Sequence, residues 1–289
     1  MMSSKRTKIK WGFFLFFAPV FLWLFLLFVL PHLELLRLSF LGTDYYGKSG
    51  FTLGNYTAFF REPAYWFTFV RTAVYSVFVT LIVLMIALPM AFYITKVVDL
   101  KARGLLMLLV IVPFWVSVLI RVYGWMIILR ESGIINRILL EIGLLRTPIE
   151  MLYNDVSLII GLVHTNLLFM LVPIIGVMDS LDNSLIEAAS NLGAKKLVIW
   201  WKIIIPHCIT GIMSGSIIVF MLVTGSYITP ALMGGKNSLW FTQQIYNQFI
   251  IAFNWNQGAA FGFLLLLISS IIVWLSLKIT GQKLGEVVR

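Results

Sequence analysis

The chain is 289 residues long, 60% hydrophobic and 12% charged, with a mean hydropathy of +0.96 and a formal net charge of +10. A soluble domain carries about a quarter of its residues as charges, so this composition excludes a soluble enzyme or nucleic-acid-binding domain and indicates a multi-span membrane protein. One cysteine, Cys208, and three histidines exclude an internal disulfide framework and offer no metal cluster.

Taken in order, Lys5, Arg6, Lys8 and Lys10 precede an apolar run from Trp11 to Leu30. That run is too long for the core of a signal peptide and right for a span, and no small-residue cleavage site follows it, so an uncleaved first span is expected. Six helical spans are predicted, at about 11–30, 73–95, 105–128, 157–178, 208–230 and 258–279. The fold class is all-α, with residues 1–289 forming a single transmembrane domain. The runs show no alternation, which argues against a barrel. Between spans, Asn55-Tyr56-Thr57 matches a glycosylation sequon, but a structural role for Asn55 as a turn or helix cap is favoured. Ile134, Ile135, Ile138, Leu139 and Ile142 fall at helical spacing and predict a short surface helix. Gly234-Gly235-Lys236-Asn237 is a turn signal, and Trp240, Tyr246, Phe249, Phe253 and Trp255 after it suggest an interfacial aromatic belt.

Basic residues set the orientation. The N-terminus, 96–104, 179–207 and the C-terminus hold 13 of the Lys and Arg residues, against eight on the other side over longer loops. Both termini and segment 179–207 are therefore expected in the cytoplasm.

The chain has no phosphate-binding loop, no His-Glu-x-x-His and no Gly-x-Ser-x-Gly, so no ATPase, metalloprotease or hydrolase site is expected. No Asp or Glu lies within the expected spans, which argues against a proton- or sodium-coupled carrier. Arg121 is the one ionisable group clearly inside a span besides histidine. It supports two readings: a functional intramembrane charge, or a side chain near the outer end that snorkels or pairs structurally. Candidate lining for a translocation path is Trp115, Ser117, Arg121, Tyr123, Trp125, Asn166, Thr224 and Tyr227, drawn from polar or aromatic patches in the third, fourth and fifth spans. For the polar ones, interhelical hydrogen bonding is the competing role. Pro89, Pro113, Pro173, Gly211, Gly215 and Gly225 allow kinks, close packing or unwound backbone.

Segment 179–207 mixes charge, alanine and apolar residues between two apolar spans. Ser184 followed by Glu187 is a capping-box spacing that predicts a helix over 184–192. Gly193 is expected to break it in a left-handed turn. A second helix from Ala194 to Ile205 is expected to end at Pro206. Glu187-Ala188-Ala189, Gly193 six residues later and the apolar run to Pro206 resemble the signature loop of binding-protein-dependent ABC importer permeases. The resemblance extends to Phe51-Thr52-Leu53-Gly54-Asn55-Tyr56 and to Gly211–Gly235. It implies a type I importer permease fold in a bacterial inner membrane, with Glu187, Ala188, Ala189, Gly193, Ala194 and Pro206 forming an ATPase-coupling loop. It further implies no cofactor in this chain, with ATP bound by partner subunits. The other implied partners are a second homologous permease, an extracytoplasmic substrate-binding protein and the lipid bilayer, with no nucleic acid.

Ile111-Val112-Pro113-Phe114-Trp115, followed by Leu119-Ile120-Arg121-Val122-Tyr123-Gly124, is similar to the first permease subunit of spermidine/putrescine transporters. That similarity implies polyamine import. An anionic or amino-acid-like substrate remains the alternative that Arg121 keeps open, and an autonomous secondary carrier is a further one.

Overall fold

The computed structural model describes residues 16–43 and 49–280. It is helical apart from one two-stranded hairpin, and four helices are long and apolar enough to cross a membrane, or up to six if each of two bent pairs counts as one span. The described residues divide into two compact units. One holds those up to Tyr65 with Gln244–Leu265, the other Trp66–Gln243 with those from Leu266 on.

In the first unit, helix α1 (Phe16–Ser39) runs nine residues past the expected end of the first span; residues 11–15 of that span lie outside the described residues. Pro31 does not stop it. A π turn over Phe25–Val29, closed by the Leu30 N–H on the Phe25 carbonyl, precedes the proline and gives its ring room. Strands β1 (Leu41–Thr43) and β2 (Ser49–Phe51) pair antiparallel and lead to α2 (Gly54–Arg61). Asn55 lies in the first turn of α2 and caps nothing. Its amide donates to the Ser39 and Leu41 carbonyls at 2.9 and 2.8 Å, tying α2 to the end of α1. Tyr65 and Phe59 meet the ring of Phe261 edge-on.

In the second unit, α3 (Pro63–Val97, whose first three residues belong to the first unit) starts ten residues before the expected second span and takes in Arg71. Its buried stripe is Thr68, Thr72, Ser76, Thr80, Val83, Ala87 and Ala91. Thr72, Ser76 and Thr80 each donate to the carbonyl four residues back, at 2.7–2.8 Å, so no hydroxyl is stranded. Small residues at this spacing let backbones approach, which matters in lipid because apolar area alone does not drive helices together. The same device joins α7 (Asp155–Asp179) to α10 (Ile209–Thr224). A Cβ on Gly211 would lie 2.7 Å from the Pro173 carbonyl oxygen, and one on Gly215 would lie 3.1 Å from Met170 Cα. Leu158, Leu162, Met170, Leu171, Ile174 and Met178 of α7 fill the centre.

Two expected spans are corrected. The third, 105–128, is not one helix. α4 (Leu100–Trp115, its last turn 3₁₀) and α5 (from Val118) meet at 97°. Val116 and Ser117 are extended between them, after Pro113 tightens the preceding turn. The fifth, 208–230, begins after a 70° bend at Cys208 and ends at Thr224. Its 16 helical residues rise about 24 Å, and Gly225–Tyr227 separate it from a short helix α11 (Ile228–Met233). The fourth and sixth spans match α7 and α12 (Trp255–Thr280) closely.

The surface helix appears as α6 (Ile134–Glu141), with buried Asn136 exchanging hydrogen bonds with the backbone of Ile149. The aromatic-belt expectation fails for Trp240. It is fully buried against Tyr75, because the Phe241 N–H bonds the Thr72 hydroxyl and draws this segment inward.

Candidate functional site: segment 179–207 and the broken helix

Residues 179–207 form two helices, α8 (Asn183–Asn191) and α9 (Lys196–His207). The cap of α8 differs from the expected one. Asp182, two residues before Ser184, takes the cap position and accepts from the Ser184 N–H at 2.9 Å. A carboxylate is the stronger acceptor at a helix N-terminus, so Glu187 is left out of any capping box. The Ser184 N–H also holds the Asp182 carboxyl below its usual range.

The far end follows the expected geometry. Gly193 has φ +78°, the Ala194 N–H bonds the Ala189 carbonyl at 3.0 Å, and the Gly193 N–H bonds Ser190 at 2.9 Å. These two bonds make a Schellman motif, which needs a left-handed residue at this position. Ala189 and Ala194 pack inward with Ile186 on the core, while Glu187 and Ala188 face out. The outward face is also apolar: Leu185, Leu192 and Leu197 are 53%, 89% and 72% exposed. Pro206 does not end the second helix. A π turn over Trp200–Ile204 accommodates it, as at Pro31, and α9 continues to His207 before the bend.

The base of this segment is tied down by groups the sequence reading did not single out. Arg103 pairs with Asp179 at 2.7 Å, Lys96 donates to the Leu181 carbonyl, and Ser180 bonds the His207 ring at 3.2 Å. Charges flanking predicted spans were the available signal. These contacts join segment 179–207 to the end of α3 and the start of α4.

The broken helix collects a second group. Arg121 stands in the first turn of α5, with its guanidinium carbon 4.5 Å from the centre of the Phe114 ring. Phe114 meets Phe169, and Trp125 lies edge-on to His164 at 5.6 Å. Arg121 Nε and Nη1 and His164 Nδ1 are buried without hydrogen-bond partners. Arg121 is nine residues from Arg130, about 13 Å along the axis of α5 from its C-terminal end. Of the other path candidates, Trp115, Ser117 and Tyr123 are exposed around the break, and Tyr227 is 36% exposed. Asn166 and Thr224 are buried, and each donates to a carbonyl of its own helix at 2.7 Å rather than across to a neighbour.

A third cluster, also missed, ties the start of α7 to α3 and to residues 237–238. The Asp155 carboxylate accepts from Arg71, from Tyr75 at 2.8 Å and from Ser238 at 2.5 Å, and Arg71 also donates to the Asn237 carbonyl at 2.6 Å. Gly235 beside it approaches Tyr153 so closely that a Cβ would lie 2.0 Å from that carbonyl oxygen.

No protein-family model matches the chain. The spermidine/putrescine transport system permease protein PotB of Haemophilus influenzae is 35% identical over 260 residues, 89% of this chain and 90% of that protein. PotB of Escherichia coli K12 is 35% identical over 266 residues, 90% and 96% of the two chains. The inner membrane ABC transporter permease protein YdcU of E. coli K12 is 28% identical over 223 residues, 73% of this chain and 70% of that one. Among solved structures, a bacterial ABC transporter involved in import of the acidic polysaccharide alginate matches with a TM-score of 0.76 at 16% identity, covering 96% of this chain and 98% of that one. The alginate transporter in complex with its pentasaccharide-bound periplasmic protein matches at 0.80 and 17%, covering 97% and 99%. At 16–17% identity these structures speak for the fold, a type I ABC importer permease. With 35% of residues shared over about nine-tenths of its length, the chain belongs to the family of permease proteins of spermidine/putrescine ABC transport systems.

Proposed function

We propose that this chain is the membrane-spanning permease subunit of an ATP-driven importer of polyamines, in the inner membrane of a bacterium. The observation that carries the reading is the kinship with spermidine/putrescine permeases over about nine-tenths of the chain. The chain supplies a path, and separate ATPase subunits, a second permease and an external binding protein complete the machine.

The coupling role goes to α8 and α9. An apolar helix face outside the membrane, with Leu192 89% exposed, is a surface made for a protein partner. Glu187 and Ala188 share that outward side, and Gly193 sets the angle at which the second helix leaves. A stroke delivered there reaches α4 through the Arg103–Asp179 pair and Lys96, and α4 ends at the break beside Arg121. The charge distribution supports a cytoplasmic position for this segment and for both termini.

For the substrate, Trp115, Tyr123 and Trp125 offer ring faces to ammonium groups. The test is co-purification of the complex, reconstitution in vesicles, and uptake of labelled spermidine, putrescine, sulfate and amino acids delivered by the associated binding protein. Polyamine uptake that needs internal ATP is the expected result. Uptake by this chain alone on an ion gradient, or uptake of sulfate in place of polyamines, refutes the reading.

A further inference from the structure

Segment 179–207 divides by charge at Gly193. Its three acids, Asp179, Asp182 and Glu187, all precede the glycine, and its three lysines, Lys195, Lys196 and Lys202, all follow it. Asp179 is held by Arg103, and Asp182 by the Ser184 N–H. Among the described residues, none of the three lysines makes an ion pair. α8 and α9 therefore present different chemistry, and one partner does not suit both.

Packing settles the inward side of α9. Ile199 and Ile204 are buried in the core, with Trp200 and Ile203 packed beside them. The outward side is apolar along its middle. Leu197 and Trp201, four residues apart and so on one face, are 72% and 69% exposed, and Val198 is exposed next to them. Lys195 and Lys202, exposed and about two turns apart, run along one edge of that strip. Lys196 is exposed in the first turn.

The bend sets the direction of this face. α9 turns 70° into α10 at Cys208. A span tilts about 20° from the membrane normal on average, so with α10 as the fifth span, α9 runs closer to the membrane plane than to its normal. An in-plane helix with an apolar strip, a tryptophan on that strip and lysines along its edge suits the boundary between acyl chains and headgroups. The lysine stems are long enough to keep their ammonium groups at phosphate level while the strip enters the acyl region.

We infer that the outward face of α9 seats on anionic phospholipid, with Lys195, Lys196 and Lys202 on headgroup phosphates and Leu197 and Trp201 among the acyl chains. The inference rests on the permease reading, which makes α10 a span, and is independent of the cargo. The ATPase subunit is left to the outward side of α8, with Glu187, Ala188 and Leu192. Held at the surface, α9 resists sliding, so a push on α8 passes to α10 through the bend at Cys208.

The test uses the whole complex in nanodiscs of phosphatidylcholine, alone or with about a third phosphatidylglycerol. Binding-protein-stimulated ATP hydrolysis by the parent is expected to rise about threefold with phosphatidylglycerol. The triple variant K195Q, K196Q, K202Q is expected to lose that rise while recovering as much ATPase subunit as the parent. A second readout keeps the charges: L197C in a C208S background carries a fluorophore, and lipids brominated on their acyl chains are expected to quench about half of its emission. A parent indifferent to phosphatidylglycerol, a full rise in the triple variant, or emission untouched by brominated lipid overturns the lipid contact. Loss of the ATPase subunit from the triple variant also overturns it and gives α9 to the ATPase. A parent chain that recovers no ATPase subunit refutes the permease reading instead, and the quenching still decides whether α9 meets lipid.

Discussion

Replacing Asp155 by Asn tests the clamp at the start of α7. The wild-type carboxylate accepts three side-chain hydrogen bonds, from Arg71, Tyr75 and Ser238. An Asn of the same shape has one acceptor oxygen, and its NH₂ points a donor at donors. The Arg71 side chain is 14% exposed and is left beside an uncharged group. Removing one partner of a fully buried pair costs about 3–5 kcal/mol. The Asp155 side chain is 37% exposed, so screening reduces this, and about 2 kcal/mol is expected. That corresponds to roughly a thirtyfold shift in the folded fraction, since about 1.4 kcal/mol is a factor of ten. The assay is equilibrium denaturation in mixed micelles of wild type, D155N, R71M and the double variant. Coupling of about 1–2 kcal/mol between the two sites is expected from a direct pair. Additive single effects, or D155N as stable as wild type, refute the clamp as the tie between α3, α7 and the 234–240 segment.

Three further outcomes follow from local geometry. G215L places a branched side chain where even a Cβ would lie 3.1 Å from Met170 backbone, so α7 and α10 must separate; a loss of about 3 kcal/mol or more is expected in the same denaturation assay, and a wild-type midpoint rejects the close approach. G193A meets no atom within 4 Å but forces a side chain to φ +78°; about 1 kcal/mol of strain is expected, seen as faster hydrogen exchange at the Gly193 and Ala194 amides, with unchanged exchange in α10. L192E alters a residue 89% exposed; the chain should insert and purify normally while recovery of the ATPase subunit falls at least tenfold, and full recovery removes the outward face of α8 from the docking surface.

Much of segment 179–207 was legible because its determinants are local. Gly193 is read correctly from the chain alone, since a helix end needing positive φ calls for glycine whatever surrounds it. The cap was misread for an equally local reason: Ser184-to-Glu187 spacing competed with Asp182, and the carboxylate took the position. Pro206 and Pro31 misled in the same way. A proline predicts a helix stop, but a widened turn just before it removes the clash and the helix continues.

The span positions of Arg71, Asp155, Arg103 and Asp179 were not legible as pairs. Their partners lie 84 and 76 residues apart, and nothing in local pattern links them. The same holds for Gly211 and Gly215, whose need for glycine comes from the α7 backbone.

The sequence by itself determined the solvent, the number of apolar runs and the family, because hydropathy and the Glu-Ala-Ala loop are written in consecutive residues. It also marked Arg121 as the intramembrane charge. Only the tertiary structure decided that the third span breaks at 97° beside it, that the Phe114 ring lies under its guanidinium, and that Trp125 on the same helix meets His164. The physical reason is that burial in lipid is set by residues brought together from distant helices, and local composition is the same whether a charge is paired or alone.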